Sequence, residues 1–162
     1  MNEEIRIREA APADVPLILD FIRRLADYEK LAHECIATEE NLRVSLFGST
    51  PAAEVLIAEI DQLPLGFALF FTSFSTFLAQ PGIWLEDLFV LPEYRGRGAG
   101  KALLAHLATL VQERAWGRLE WTVLDWNEPA IDFYRSLGAE PQEEWTTWRI
   151  TGDSLGRMAQ GA

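Results

Sequence analysis

The sequence predicts an α+β fold in which helices flank a mixed β-sheet, and three observations favour it. Two apolar, β-rich segments, residues 54–60 and 65–72, are joined by the short turn "DQLP", which is typical of an antiparallel hairpin. Strand, amphipathic helix and strand then follow one another through residues 84–124, an order that makes the two strands parallel neighbours. With 162 residues, 49% of them hydrophobic, the chain predicts one domain, residues 1–162, around a single core.

The remaining elements follow from apolar spacing and from the residues that begin and end helices. Thr38 and Asn127 are good N-caps, while Gly48 and Gly138 are placed to end the helices that follow those caps. We expect strands at residues 5–8, 54–60, 65–72, 84–91, 119–124 and 145–150, and helices at 14–26, 39–47, 103–111 and 128–137.

The charge of the chain restricts its partners. Fourteen lysines and arginines against 25 acids give a net charge of -11, which repels nucleic acids and anionic membranes and attracts cations. Residues 94–118 depart from this balance, because they carry five cations and one acid, Glu113. One cationic strip on an acidic body predicts two ligands, an anion at the strip and a small cation elsewhere.

The single Cys35 excludes an internal disulfide and leaves no cysteine cluster for a metal, which favours a reducing compartment. His33 and His106 have no metal-ligand spacing, so we expect no metal. The charged opening "MNEEIRIREA" lacks the apolar segment of a secretory signal, and no stretch is long enough to span a membrane. A cytoplasmic location is expected.

The segment "LEDLFVLPEYRGRGAGKALL", residues 85–104, places a glycine-rich turn between a strand and a helix, where backbone N–H groups can receive an anion. A P-loop is excluded, because Arg95 stands where its first glycine is required and no Ser or Thr follows Lys101. The Gly-x-Gly-x-Gly spacing at mid-chain is also wrong for a dinucleotide-binding fingerprint. A turn that only connects the strand to the helix remains an alternative.

The pattern Arg-x-x-Gly-x-Gly, formed by Arg95, Gly98 and Gly100, resembles the pyrophosphate loop of the GCN5-related N-acetyltransferases (GNAT). The preceding "LEDLFV" and the later "NEPAIDFY" extend the resemblance over nearly the whole chain. Together with "YE" at 28–29 and the ending "RMA", they are similar to the diamine branch, which acetylates spermidine and spermine or thialysine. The resemblance implies a mostly antiparallel, splayed sheet, acetyl-CoA bound between two central parallel strands, and a homodimer.

The resemblance also implies a set of cofactor-binding residues. The pyrophosphate would lie on the loop, the pantetheine arm beside the strand before it, and a third group from the later motif would line the cofactor. The residues implied are Leu88, Phe89, Val90, Arg95, Gly96, Arg97, Gly98, Ala99, Gly100, Lys101, Asn127, Glu128, Pro129, Ala130 and Tyr134. Asn127 would also serve as an N-cap, with or without a cofactor.

Two residues match the family's proton-transfer positions. An alkylammonium with a pKa of about 10.4 must lose a proton before it can attack, and Glu86 matches the proposed base, acting through water. Tyr134 matches the general acid that protonates the departing thiolate. Simple alternation along a strand puts the side chain of Glu86 on the opposite face from Asp87. The alternatives are a solvent-facing charge for Glu86 and a core aromatic for Tyr134.

The acidic surplus suggests a chain of contacts for a flexible cationic amine. The residues that match substrate positions of this branch are Tyr28, Glu29, Glu86, Asp87, Glu120, Trp121, Thr122 and Glu143. Acids that only solubilise the surface are the alternative for each carboxylate. Direct attack of the amine in a ternary complex is expected, because Cys35 lies outside these motifs. Acetylation of another amine, or a CoA-binding sensor without turnover, also stays open.

Overall fold

The computed structural model describes residues 4–161. Short 3-10 turns lie at Pro12–Asp14, Ala32–Glu34 and Pro92–Tyr94. The strands are β1 (Arg6–Glu9), β2 (Glu54–Ile60), β3 (Leu63–Ser75), β4 (Gln80–Val90) and β5 (Leu119–Trp121), and the helices are α1 (Val15–Tyr28), α2 (Glu39–Phe47), α3 (Ala99–Glu113), α4 (Glu128–Ser136) and α5 (Gly152–Ala159).

The five strands form one open sheet in the order β1-β2-β3-β4-β5. All neighbours are antiparallel except β4 and β5, so the predicted hairpin and the predicted parallel pair are both confirmed. The parallel pairing joins only residues 83–85 to residues 119–121. Within residues 4–161, the last part of β4, residues 87–90, pairs with β3 alone. The sheet is therefore mixed and open, and β5 ends at the last residue that pairs with β4.

Apolar side chains are buried on both faces of the sheet, and one cluster of them lies beneath α1 and α2. Phe21 of α1 stacks on Phe67 of β3 with ring centroids 5.5 Å apart, and Phe89 of β4 packs against Phe21 at 6.1 Å. All three rings are buried, and burial of each contributes about 1.5–3 kcal/mol. The helix α3 contacts β2, β3 and β4 and buries Leu103 and Leu107 completely. These contacts fix the position of β4.

Contacts between Cα atoms divide the chain into two compact units, residues 1–124 and residues 125–162. The first unit contains the whole sheet with α1, α2 and α3, and the second contains α4 and α5. The helix α5 was not predicted.

The prediction of a strand at residues 145–150 is wrong, because those residues form no ladder of backbone hydrogen bonds with another strand. A strand needs a hydrogen-bonding neighbour, and the described part of the second unit contains helices and irregular segments only. The large apolar residues of this segment are exposed, with Trp145 at 79% and Trp148 at 91%. As a consequence β5 is an edge strand in the described sheet, so the expectation that both parallel strands are central does not hold for β5.

Candidate active site

Glu86 occupies a β-bulge in β4. Leu85 pairs with Phe70 and Asp87 pairs with Leu69, so Glu86 has no residue opposite it on β3. A bulge bends its strand and redirects a side chain, and bulges are common beside active sites. The chain thus places its candidate base at an irregularity, immediately beyond the last residue that pairs with β5.

The bulge brings both acids of "LEDLFV" to one face. Asp87 pairs with Leu69 and Trp84 pairs with Phe71, and Leu69 and Phe71 share a face because alternate residues of a strand do. Trp84 and Asp87 therefore share that face. The indole Nε1 of Trp84 donates a hydrogen bond to Oε2 of Glu86 at 3.0 Å, which directs Glu86 to the same side. The expected opposite facing of Glu86 and Asp87 is wrong, because the bulge breaks simple alternation.

A group of acids surrounds this face. Burial, followed by the nearby carboxylates of Glu86 and Glu29, raises the pKa of Asp87 to about 7. Burial also raises the pKa of Glu29, which directly follows α1. We call Glu29, Glu86 and Asp87 the acidic cluster. Because like charges at close range are unfavourable, a cation bound among them would be stabilised.

Glu120 of β5 pairs in register with Trp84 and so lies on the same face as the acidic cluster. Its carboxylate already accepts from Nε of Arg118 at 2.7 Å. Trp121 pairs with Leu85 and therefore faces the other side of the sheet, while Thr122 follows the strand and is exposed. Of the β5 residues predicted to contact the amine, only Glu120 lies on the face of the acidic cluster.

The glycine turn has the backbone that an anion-binding loop needs. Gly96 and Gly98 have φ of +77° and +95°, a region that side-chain-bearing residues rarely adopt. A Cβ added at Gly96 would meet no atom within 4 Å, so the backbone is open there. Gly98 is the N-cap of α3, whose first turn presents unpaired N–H groups and the positive end of the helix dipole.

Cations collect around this turn. Arg114 pairs with Glu54 and Arg118 with Glu120, so two cations of the strip are engaged by acids away from the turn. Arg97 and Lys101 are exposed beside it, and Arg97 lies over the ring of Tyr94, 5.2 Å from the centroid. The positive charge is thus concentrated at the start of α3.

Arg95 makes a different set of contacts. Its Nε donates to the carbonyl oxygen of Val90 at 3.0 Å, and its guanidinium lies 4.7 Å from the ring centroid of Tyr28 and 5.7 Å from that of Phe89. The side chain therefore links the end of β4 to the C-terminal end of α1. Through this contact Tyr28 lies beside Arg95, the residue before the first glycine of the glycine turn, and Glu29 follows Tyr28 in the chain.

The second unit carries the remaining predicted residues. Asn127 is buried and caps α4, because its Oδ1 accepts from the backbone N–H of Ala130 at 3.4 Å. Tyr134 lies in α4, is half-buried and packs on Phe133 with centroids 5.5 Å apart. Glu128 and Pro129 form the first turn of α4, and Glu143 lies in the exposed segment that precedes α5.

Trp84 is a site residue that the sequence analysis missed. It stands two positions before Glu86, a spacing that places two strand residues on one face, and this signal alone could have suggested a contact. The bulge at Glu86 is not visible in the sequence, since no glycine or proline marks it.

No helix within residues 4–161 has the length and apolar character of a membrane span. The same described residues contain no group of three or more His, Cys, Asp or Glu side chains arranged to hold a metal ion.

Comparison with protein families identifies residues 22–139 with the family model described as "Acetyltransferase (GNAT) family". Among characterised proteins, a thialysine N-epsilon-acetyltransferase of Bos taurus is 38% identical, over 96% of this chain and 97% of that protein. An L-ornithine N5-acetyltransferase of Arabidopsis thaliana is 35% identical, over 93% of this chain and 86% of its own. A human spermidine/spermine N(1)-acetyltransferase-like protein is 29% identical over 95% of this chain, which matches only 24% of that longer protein.

Solved structures give the same fold. An integron cassette protein from the mobile metagenome of V. cholerae superposes with a TM-score of 0.81 at 27% identity, over 96% of this chain and 98% of that one. An aminoglycoside acetyltransferase from a soil metagenome has a TM-score of 0.75 at 21% identity, over 91% of this chain and 95% of that one, and supports the fold alone.

Proposed function

The chain belongs to the acetyltransferase (GNAT) family and is an N-acetyltransferase of amine substrates, and we propose that its acceptor is a small amine with a second positive charge. A diamine, a polyamine and a thialysine-like amino acid all fit this description. The observation that carries the proposal is the acidic cluster of Glu29, Glu86 and Asp87 on one face of the sheet. The names of the thialysine and ornithine acetyltransferases to which the chain is similar support it.

Acetyl-CoA, which this family uses, supplies the acetyl group as a thioester. Four features fit the two phosphates of its pyrophosphate: the open backbone at Gly96, the positive φ of Gly98, the first turn of α3, and the exposed Arg97 and Lys101. Residues 88–90 belong to the part of β4 that does not pair with β5, which suits an extended pantetheine arm. We assign the side chain of Arg95 a smaller part in anion binding than the sequence suggested, because it is engaged by Val90 and Tyr28.

In the proposed reaction, Glu86 takes a proton from the bound ammonium through water, and the neutral amine attacks the thioester carbonyl. Asp87 and Glu29 hold the distal positive charge of the acceptor. Tyr134 donates a proton to the departing thiolate, a role that rests on its match to the family's motif in "FYRSLGA", and the second proton that the nitrogen loses in becoming an amide restores the Tyr134 phenol through water. The products are the N-acetylated amine and CoA.

Transfer is direct in this proposal. Cys35 lies just after the 3-10 turn at Ala32–Glu34 and is half-buried. Neither the acidic cluster nor the glycine turn includes Cys35, so no acyl carrier is assigned.

We also propose that the protein is a cytoplasmic homodimer. The exposed Trp145 and Trp148 support the homodimer, because aromatic side chains of this kind are enriched in protein interfaces.

The test is CoA release from acetyl-CoA across thialysine, L-ornithine, putrescine, spermidine, spermine and a basic peptide, with the acetylated products identified by mass spectrometry. We expect the highest kcat/KM with one of the small cationic amines, and a loss of that preference at high salt. Preference for an uncharged or peptidic acceptor would contradict the proposed substrate class. Binding of acetyl-CoA without release on any amine would favour a CoA sensor instead.

A further inference from the structure

Trp84 and Glu86 differ in how firmly the sheet holds them. Trp84 pairs with Phe71 on β3 and with Glu120 on β5, so its backbone is fixed from both sides. Glu86 lies in the bulge, one residue past the last β4 residue that pairs with β5, and its side chain is exposed. An exposed glutamate has several accessible rotamers, and a general base that samples them spends only part of its time in a reactive position.

The hydrogen bond between the two side chains restrains that freedom. Nε1 of Trp84 donates to Oε2 of Glu86 at 3.0 Å, a good length for a bond to a carboxylate. The indole has only this one polar hydrogen and cannot accept, so the contact has a fixed direction. Since Oε2 accepts the hydrogen bond of the indole N–H, Oε1 is the oxygen left to take a proton from the acceptor or its water.

From this geometry we propose that Trp84 is a positioning residue for acetyl transfer, which orients the carboxylate of Glu86 toward the amine. The inference rests on the proposed function, because it requires Glu86 to be the base. Trp84 itself touches neither reacting group in this account. Phenylalanine at position 84 would keep an aromatic ring in the register position between Phe71 and Glu120 and would remove the donor together with one ring of the indole, a loss of size that a control must reproduce.

The experiment compares Trp84→Phe, Glu86→Gln and the double variant with the wild-type chain, using the best amine of the panel. Trp84→Phe is expected to lower kcat about threefold to tenfold and to change the KM for acetyl-CoA less than twofold. In the Glu86→Gln background, Trp84→Phe is expected to have no further effect, because it acts through that carboxylate.

Trp116→Phe is the matched control. Trp116 is also a half-buried tryptophan of the first unit, and its ring lies 4.8 Å from the guanidinium carbon of Arg114 instead of beside Glu86. This variant is expected to keep the wild-type kcat. Melting temperatures of all variants show whether any loss of kcat comes from unfolding.

Each outcome has a distinct meaning. Wild-type kcat in Trp84→Phe would overturn the positioning role while leaving the proposed function intact. An equal loss from Trp84→Phe in the wild-type and Glu86→Gln backgrounds would also overturn it, since the tryptophan would then act independently of the glutamate. Full activity of Glu86→Gln would remove both the base and its positioning residue. Absence of wild-type turnover on every amine would overturn the proposed function, and this inference with it.

Discussion

The two units of the chain differ in how they hold their candidate site residues. Every buried hydrophobic side chain of the described residues lies in the first unit, where α1, α2 and α3 pack on the sheet. The second unit exposes Trp145, Trp148 and Met158, and its buried residue is the polar Asn127. The acidic cluster and the glycine turn therefore rest on a packed scaffold, whereas Tyr134 is positioned by a short helix.

This difference suggests a division of labour. The first unit carries the groups proposed to bind the anionic cofactor and the cationic acceptor, and the second carries the proposed proton donor. Substitutions at the proposed binding groups of the first unit that leave Glu86 and Trp84 intact should then change mainly the affinity for acetyl-CoA or for the amine. Substitution of Tyr134 should change mainly kcat. Substitutions in each unit test this separation between effects on affinity and effects on kcat.

Tyr134→Phe should lower kcat at least about tenfold, because the departing thiolate loses its proton donor. The dissociation constant for acetyl-CoA, measured by calorimetry, should stay within about twofold of the wild-type value, because the ring is kept. Unchanged turnover would remove Tyr134 from the mechanism and with it the catalytic part of the second unit.

Gly98→Val should weaken acetyl-CoA binding about fivefold to tenfold, since valine is strained at a φ of +95° and distorts the start of α3. Gly138→Val is the matched control, because Gly138 also has a positive φ, +87°, but lies in the second unit outside the glycine turn. Wild-type affinity in a folded Gly98→Val variant would be incompatible with an anion-binding loop. Equal weakening in both variants would point to general destabilisation.

Asp87→Asn should remove a pH-dependent penalty on stability. The folded-state pKa of Asp87 is about 7, above the ordinary 3.8, so the folded chain keeps a proton there that the unfolded chain has lost. The contribution of this group to stability therefore falls as pH rises from about 4 to about 7 and then levels off.

The melting temperature of Asp87→Asn should accordingly exceed that of the wild type by about 3 °C or more at pH ~8, and the difference should shrink toward pH ~5. Differential scanning calorimetry at both pH values provides the measurement. A constant difference across this range would mean that Asp87 is ionised throughout.

Glu120→Gln should have the smallest effect, less than about twofold on the KM of the amine, because Arg118 already binds that carboxylate at 2.7 Å. Glu29→Gln, which removes a member of the acidic cluster, should raise the same KM several-fold. Steady-state kinetics on the two variants side by side provide the comparison. A larger effect from Glu120 would return it to the acceptor site that the sequence predicted.

Much of the first unit could be predicted because its patterns reflect burial. The hairpin of β2 and β3, the N-cap at Thr38 and the parallel pair β4 and β5 follow from apolar periodicity and end signals. The glycine turn was recognisable from spacing, and the positive φ of Gly96 and Gly98 explains why glycines stand there.

The features that could not be predicted depend on tertiary contacts. The bulge at Glu86 arises from the register of β3 against β4, and it overrides the alternation that the sequence suggests. The contact of Arg95 with Tyr28 joins residues far apart in the chain. At residues 145–150 a strand was predicted, but the residues of a segment do not by themselves supply the neighbour that a strand requires.

The central claim is that the acidic cluster selects an acceptor with a second positive charge. The most direct measurement compares kcat/KM for putrescine and n-butylamine, which share a four-carbon chain and differ by one amino group, at low and high salt. Putrescine is expected to be preferred at least about tenfold, and high salt is expected to reduce the preference. Equal use of the two amines, unaffected by salt, would contradict this claim.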